Sequence, residues 1–484
     1  MTRPDLVPFG VTVEGKPAAP PLRYDDAALV ARAEHLQAFA GAEGGVRSFI
    51  NDLVAFFRPN RFGDVNDLPR ALLRQPHHPE VGWGLVFDET IPSAIRDALQ
   101  PLLNHRQGIA LEDWQALDTL DTWLDRHDVN LLNQDLTESL PYYILIVGSP
   151  QIIPYASQYE LARLRAVGRL YLGTDPADYE SYVAGVLTHE QAPKVARRAL
   201  FLSAKNAGDL ATQLSANHLV PALAKVPNND ANLAPLNYKI DQVPDLDLAG
   251  MRHALDRDVH GGAPALIFAA SHGISFPSGA AQQATDQGGW VLSNWAGGPV
   301  SRDAYLAPGD IDEDCHTPGS IIFTLACYGA GTNQLSEYAP HHNKVFTARP
   351  LAEKLAPSSF VAGLPQRLLS YRNNGEAAGA LAYIGHVDLS WAYSFWEQQE
   401  LHSVIFDTVI SRLLRGDTAG MAVNRFSDEV NKQNAALTQF ADNFGGLDIG
   451  QAMIVAQTWI RRNNARGFIV LGDPAVRIDP DKFT

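Results

Sequence analysis

Between residues 141 and 473 the apolar positions fall into short unbroken runs rather than stripes: "PYYILIVG", "ALFLSA", "APALIFAASHG", "GSIIFTLACYG", "GALAYIGHV" and "GFIVLGD". A strand covered on both faces needs no polar alternation, so runs of this kind predict a parallel sheet buried between helices. The intervening segments change period. "GDLATQLSANHLVPALAK", "LDLAGMRHALDRD", "SVIFDTVISRLLRG" and "AGMAVNRFSDEVNKQNAALTQFADNF" carry apolar residues three and four apart, as amphipathic helices do. Strand alternating with helix gives an α/β fold with crossover connections.

The chain reads differently before this stretch. Its first 25 residues hold five prolines and no periodicity, which predicts an extended arm or surface strap. From Asp25 a helix is expected on Leu29, Val30, Ala33, Leu36 and Phe39, followed by helices in "SAIRDALQPLLNH" and "DWQALDTLDTWLDRH" and a short strand in "WGLVF". The expected organisation is a mainly helical region over 1–138, a small α/β subdomain over 139–195 and a larger α/β domain over 196–484.

Composition narrows the classes of function. With 484 residues, 46% of them hydrophobic, the chain can bury large cores, and its net charge of −16 works against a general attraction to nucleic acid. No uninterrupted apolar stretch reaches the ~18 residues of a membrane span. The N-terminus shows no signal-peptide pattern, and two cysteines, Cys315 and Cys327, allow at most one bridge, so a cytoplasmic protein is the expectation.

Chemistry is expected where strands end, because loops leaving the carboxyl edge of a parallel sheet converge there. His272 and Gly273 follow "ALIFAAS", and Cys327 follows "SIIFTLA". If those two strands are parallel neighbours, a thiol and an imidazole meet at one edge. The imidazole, or a helix starting after Cys327, would raise the thiolate fraction. The N–H groups of Gly273 and Cys327 could hold an oxyanion, and His272 would exchange protons with the leaving amine and the attacking water. No third carboxylate stands out. A zinc site from Cys315, His316, Cys327, His341 and His342 matches no familiar spacing, so no metal is assigned and no cofactor is expected; nothing in the residues calls for calcium.

The pair "ALIFAASHG" and "SIIFTLACYGAG" resembles the clan CD cysteine peptidases, the superfamily of caspases, metacaspases, gingipains, clostripain and separase. The likeness to bacterial gingipain-like and caspase-like proteins extends over "YYILIVGSPQIIPYASQYEL", "AVGRLYLGT", "GDLATQLSANHLVPAL", "ALAYIGHVDLSWAYSF" and "FIVLGDPAVRI", residues 140 to 480. It implies a caspase-haemoglobinase fold and a cysteine endopeptidase acting on protein or peptide substrates. Cys327 would be the nucleophile, His272 the acid and base, and Gly273 with Cys327 the oxyanion hole. An activating protease or a regulatory partner is a further class of partner that the family implies. Leu325 stands where metacaspases and clostripain carry an acidic residue, so a basic preference would need another source. Asp388 and Trp391, after "ALAYIGHV", are the candidates: a carboxylate for Arg or Lys and an apolar wall for its stem. The competing reading of Asp388 is a helix cap and of Trp391 a core residue. The competing function is a catalytically silent caspase-like scaffold.

Overall fold

A computed structural model describes residues 7–19, 69–127, 140–193, 195–339, 352–397, 399–442 and 449–483. The helix expected from Asp25 lies outside them. The cleft and main-sheet strands, in chain order, are β1 (Gly10–Thr12), β2 (Trp83–Phe87), β3 (Ile109–Ala110), β4 (Tyr143–Val147), β5 (Ala166–Leu170), β6 (Val195–Ser203) and β7 (Lys239–Val243). They continue with β8 (Ala263–Ala270), β9 (Gly273–Ser275), β10 (Trp290–Val291), β11 (Tyr305–Leu306), β12 (Ile321–Leu325), β13 (Ala382–His386) and β14 (Phe468–Gly472). Among the described residues ten of these form one sheet, ordered β3-β2-β4-β5-β14-β13-β12-β8-β6-β7. Every adjacent pair is parallel except β13 with β14, which run antiparallel. The fold is therefore α/β with a large, mostly parallel sheet, made of two parallel halves that meet at one reversed seam.

The apolar runs make strands for the reason their composition suggests. All five residues of β4 are buried, and they alternate between two cores: Tyr143, Leu145 and Val147 join one cluster, Ile144 and Ile146 another. Side chains that alternate across a strand need cover on both faces, and here both have it. "WGLVF" is β2 and lies beside β4, so the region before residue 139 supplies two strands of the same sheet along with its helices Ser93–Arg106 and Leu120–Arg126.

On the half that carries the candidate chemistry, Phe268 of β8 and Phe323 of β12 meet edge to face at 5.2 Å. Phe323 stacks on Phe406 at 5.7 Å, from the helix Val404–Leu414, and Phe426 of the helix Ala419–Asp442 stacks on Phe468 of β14 at 4.3 Å. Rings of this size bury large areas and favour edge and offset contacts, so the aromatic column fixes β8, β12 and β14 against their helices. It sets the positions from which the strand ends emerge.

A smaller sheet, β1-β9-β10-β11, sits over those ends. Its first strand comes from the proline-rich N-terminal segment, which pairs in parallel with β9 from Gly10–Gly273 to Thr12–Ser275. Among the described residues no helix is long and apolar enough to cross a membrane.

Candidate active site

Strands β8 and β12 are parallel neighbours in a register that sets Ala270 beside Leu325. His272 lies two residues beyond the first and Cys327 two beyond the second, so both leave the sheet at the same edge. β13 flanks β12 on its other side and delivers Asp388 and Trp391 to that edge, while β6 flanks β8 and leads into the loop that carries Asp209. Ser271 fixes the bend between β8 and β9, its hydroxyl donating to the carbonyls of His272 and Val291.

Gly273 has a second role besides leaving its N–H accessible. A Cβ placed on it would lie 1.8 Å from the carbonyl oxygen of Cys327, so only glycine allows the two strand ends to approach this closely. After Cys327 the chain does not start the helix expected from the sequence. Tyr328 adopts φ +58°, and the segment turns into a two-residue strand at Gly331–Thr332. A left-handed residue breaks the run of dihedrals a helix needs.

The thiol of Cys327 is fully buried. It accepts a hydrogen bond from the N–H of Ser390 at 3.1 Å and donates to the Ser390 carbonyl at 3.4 Å. Burial pushes this thiol far above the ordinary cysteine range, against a smaller opposing effect of the Ser390 N–H. It is therefore held neutral in this arrangement.

His272 is 2% exposed. Its Nε2 lies 2.9 Å from Oδ1 of Asp209 as an ion-pair contact, and neither ring nitrogen makes a hydrogen bond among the described residues. Asp209 is fixed independently. It caps the helix Leu210–Leu214, accepting from the N–H and the hydroxyl of Thr212, each at 2.8 Å. Burial would raise the Asp209 carboxyl, but His272 and the Thr212 donors outweigh it and draw the carboxyl down to about 2. A third carboxylate is thus present at this edge, contrary to the sequence reading. The signal was available in principle: "NAGDLATQL" follows "ALFLSA", the strand beside β8, so the topology that joins Cys327 and His272 also reaches Asp209.

The N–H groups proposed for an oxyanion converge on one atom. Gly273 N donates to the carbonyl oxygen of Phe9 at 2.9 Å, and Cys327 N donates to the same oxygen at 2.7 Å. Two preorganised donors on one carbonyl oxygen, beside a thiol, are the arrangement that stabilises negative charge on that oxygen during acyl transfer.

Asp388 and Trp391 occupy the same edge in other roles. Asp388 is buried with φ +71°; its Oδ1 accepts from Leu389 N at 2.7 Å and its Oδ2 from Glu337 N at 2.9 Å. Burial raises its carboxyl to about 7, against the lowering effect of the Glu337 and Leu389 N–H groups. The helix that Asp388 would cap does not form, leaving one 3-10 turn at Ala392–Ser394. The Trp391 ring is buried edge-on to Tyr338 at 6.0 Å, while its backbone pairs with Pro8. His386 is structural: its ring nitrogens contact the carbonyls of Asn464 and Asp388, and burial lowers it to about 4. The acidic loop 310–314 is partly tied to arginines, Asp310 to Arg302 and Asp312 to Arg252. Among the described residues no group of three or more His, Cys, Asp and Glu side chains is placed to hold a metal ion, and His341 and His342 lie outside them.

No family model matches this chain, and no curated protein matches it in sequence. Two solved structures are similar to it. One, described as the structure of a protease, is 10% identical with a TM-score of 0.48, covering 83% of this chain and 79% of that one. The other is the Arg-specific cysteine proteinase gingipain R, 13% identical with a TM-score of 0.44 and the same coverage of each chain.

Proposed function

We propose that the chain is a cysteine endopeptidase with Cys327 as nucleophile, His272 as general acid and base, and Asp209 as the residue that positions His272. The observation that carries this reading is the convergence of Gly273 N–H and Cys327 N–H on a peptide carbonyl oxygen beside the Cys327 thiol. In the reaction, sulfur bonds to the carbonyl carbon while the thiol proton passes through His272 to the leaving amine and the C–N bond breaks. Water then attacks the thioester with His272 as base, releasing the carboxylate and restoring the thiol. The oxyanion donors are backbone groups of the strand ends, so they need no reorganisation during either step.

The expected preference for Arg or Lys is not part of this proposal, because both oxygens of the Asp388 carboxylate already accept backbone N–H groups. An activating protease or partner remains part of it, since the buried thiol has to be uncovered before it can ionise. The test is cleavage of a peptide library by wild type, Cys327→Ala and His272→Ala: cleavage is expected in the wild type once the cleft is open and in neither variant. Retention of the same cleavage in both variants would remove the assignment. The burial of the thiol favours a second reading, a silent scaffold of the same fold. Persistent failure of a thiol probe to label Cys327, together with absence of turnover after limited proteolysis, would select it.

A further inference from the structure

The N-terminal segment crosses the candidate site in an extended conformation and makes backbone contacts on both sides of Cys327. Phe9 N donates to Ser390 O at 2.7 Å, Ala392 N donates to Val7 O at 2.9 Å, and Pro8 faces Trp391 in an antiparallel bridge. Beyond Phe9 the chain continues as β1, parallel to β9. The carbonyl that sits between the two oxyanion donors is that of Phe9, so the peptide bond presented to the thiol is Phe9–Gly10.

The two residues flanking this bond are chosen by their surroundings. The Phe9 side chain is fully buried, its ring 6.1 Å from that of His272 and 5.7 Å from that of Phe395. A guanidinium or ammonium in that place would be stripped of water, and a buried cation without a partner is strongly disfavoured. At Gly10 an added Cβ would lie 2.8 Å from the Cβ and 3.0 Å from the Sγ of Cys327, and 2.9 Å from the Cβ of Ala18. Any larger residue there collides with the nucleophile itself.

We propose that the cleft takes peptides with a large apolar, preferably aromatic, residue before the scissile bond and glycine after it, and that residues 7–13 are such a peptide held in place. The assignment of subsites rests on the peptidase reading for its catalytic meaning, but occupancy can be measured without turnover. The β-type pairing with Ser390 and Ala392 supplies sequence-independent affinity, and the two flanking positions supply selectivity.

The experiment uses full-length Phe9→Asp protein, in which a buried carboxylate unseats the segment, with Gly10→Val as a second variant that unseats it by collision. Iodoacetamide is expected to label Cys327 at least tenfold faster in both than in the wild type, and at the wild-type rate in Glu14→Ala, whose side chain is exposed at the tip of the same segment. The probes are the peptides Val-Pro-Phe-Gly-Val-Thr-Val and its analogue with Arg in place of Phe, added to the Phe9→Asp protein. The first is expected to protect Cys327 at concentrations at least tenfold below the second and to be cut between Phe and Gly, with no cutting in a Phe9→Asp/Cys327→Ala double variant. Protection without cutting would sustain the subsites and overturn the peptidase reading. Cys327-dependent cutting after Arg, or at another bond, would overturn the subsites and sustain the peptidase reading. Equal protection by both peptides, protection by neither, or unchanged labelling of Cys327 in both unseated variants would overturn the proposal.

Discussion

At the scale of single residues, Asp209 separates a structural contact from a functional one. Asparagine caps helix N-termini about as well as aspartate, so Asp209→Asn keeps the Thr212 contacts while removing the charge beside His272. If the peptidase proposal holds, it is expected to lower kcat of the uncovered protein by about one to two orders of magnitude, less than the roughly 10²–10⁴-fold that general acid–base catalysis supplies in full, with KM little changed. A loss confined to KM would assign Asp209 to substrate binding instead. The same substitution has a sign in stability. The Asp209 carboxyl is drawn from its ordinary 3.8 to about 2, so its contribution is fully present above about pH 4 and lost as pH falls through about 2. Acid unfolding curves of wild type and Asp209→Asn should therefore converge toward pH 2. Cys327, His272 and Gly273 were legible in the sequence because each ends or follows a strong apolar run. Asp209 was not, because it lies six residues beyond β6 and reads locally as nothing more than a cap. Asp388 and Trp391 were located at the correct edge, but their partners, Glu337 and Tyr338, come from a distant segment that no local pattern links to them.

At the scale of elements, the site depends on how closely two strand ends approach. Since a Cβ at Gly273 would lie 1.8 Å from the Cys327 carbonyl, Gly273→Ala has to separate the ends of β8 and β12 and with them the two N–H donors. Overpacking of this kind costs about 1–3 kcal/mol. Denaturant unfolding should show that loss together with abolished cleavage, whereas a cut in activity at unchanged stability would mean that the strand ends can adapt. The strands themselves were readable, as the five buried residues of β12 show. The connections were harder. "LSWAYSFWEQ" looks helical, yet Ser390 bonds Phe9 and Ala392, at the start of the 3-10 turn, bonds Val7, a tertiary contact across more than 380 residues that outweighs local propensity. The turn after Cys327 depends on a positive φ at Tyr328, a residue type that gives no warning of it.

At the scale of the molecule, an ionic knot ties together the half of the sheet that runs from β2 to β14, beside the antiparallel seam. Asp473, immediately after β14, accepts from Trp83 Nε1 of β2 at 2.9 Å and from Arg106 Nε at 2.8 Å, while its N–H donates to Tyr182 Oη at 2.6 Å. Arg106 also pairs with Glu190, so one guanidinium holds two acids that come from distant parts of the chain. Burial alone would lower the Arg106 guanidinium, but Asp473 and Glu190 hold it above its ordinary range; Arg106 in turn draws Glu190 down to about 2 against its own burial. Gly472, Asp473 and Pro474 read locally as a turn and nothing more, since neither the reversed direction of β14 nor the approach of Arg106 is encoded there. Breaking a buried pair leaves an uncompensated charge, so Arg106→Ala should destabilise the fold by about 3–5 kcal/mol. Arg106→Ala combined with Asp473→Asn should recover part of that loss, because one of the two stranded anions is gone while Glu190 remains. Denaturant midpoints of the two variants test the tie: a single-variant loss below about 1 kcal/mol, the scale of an exposed pair, would show that this half is held by its apolar core alone.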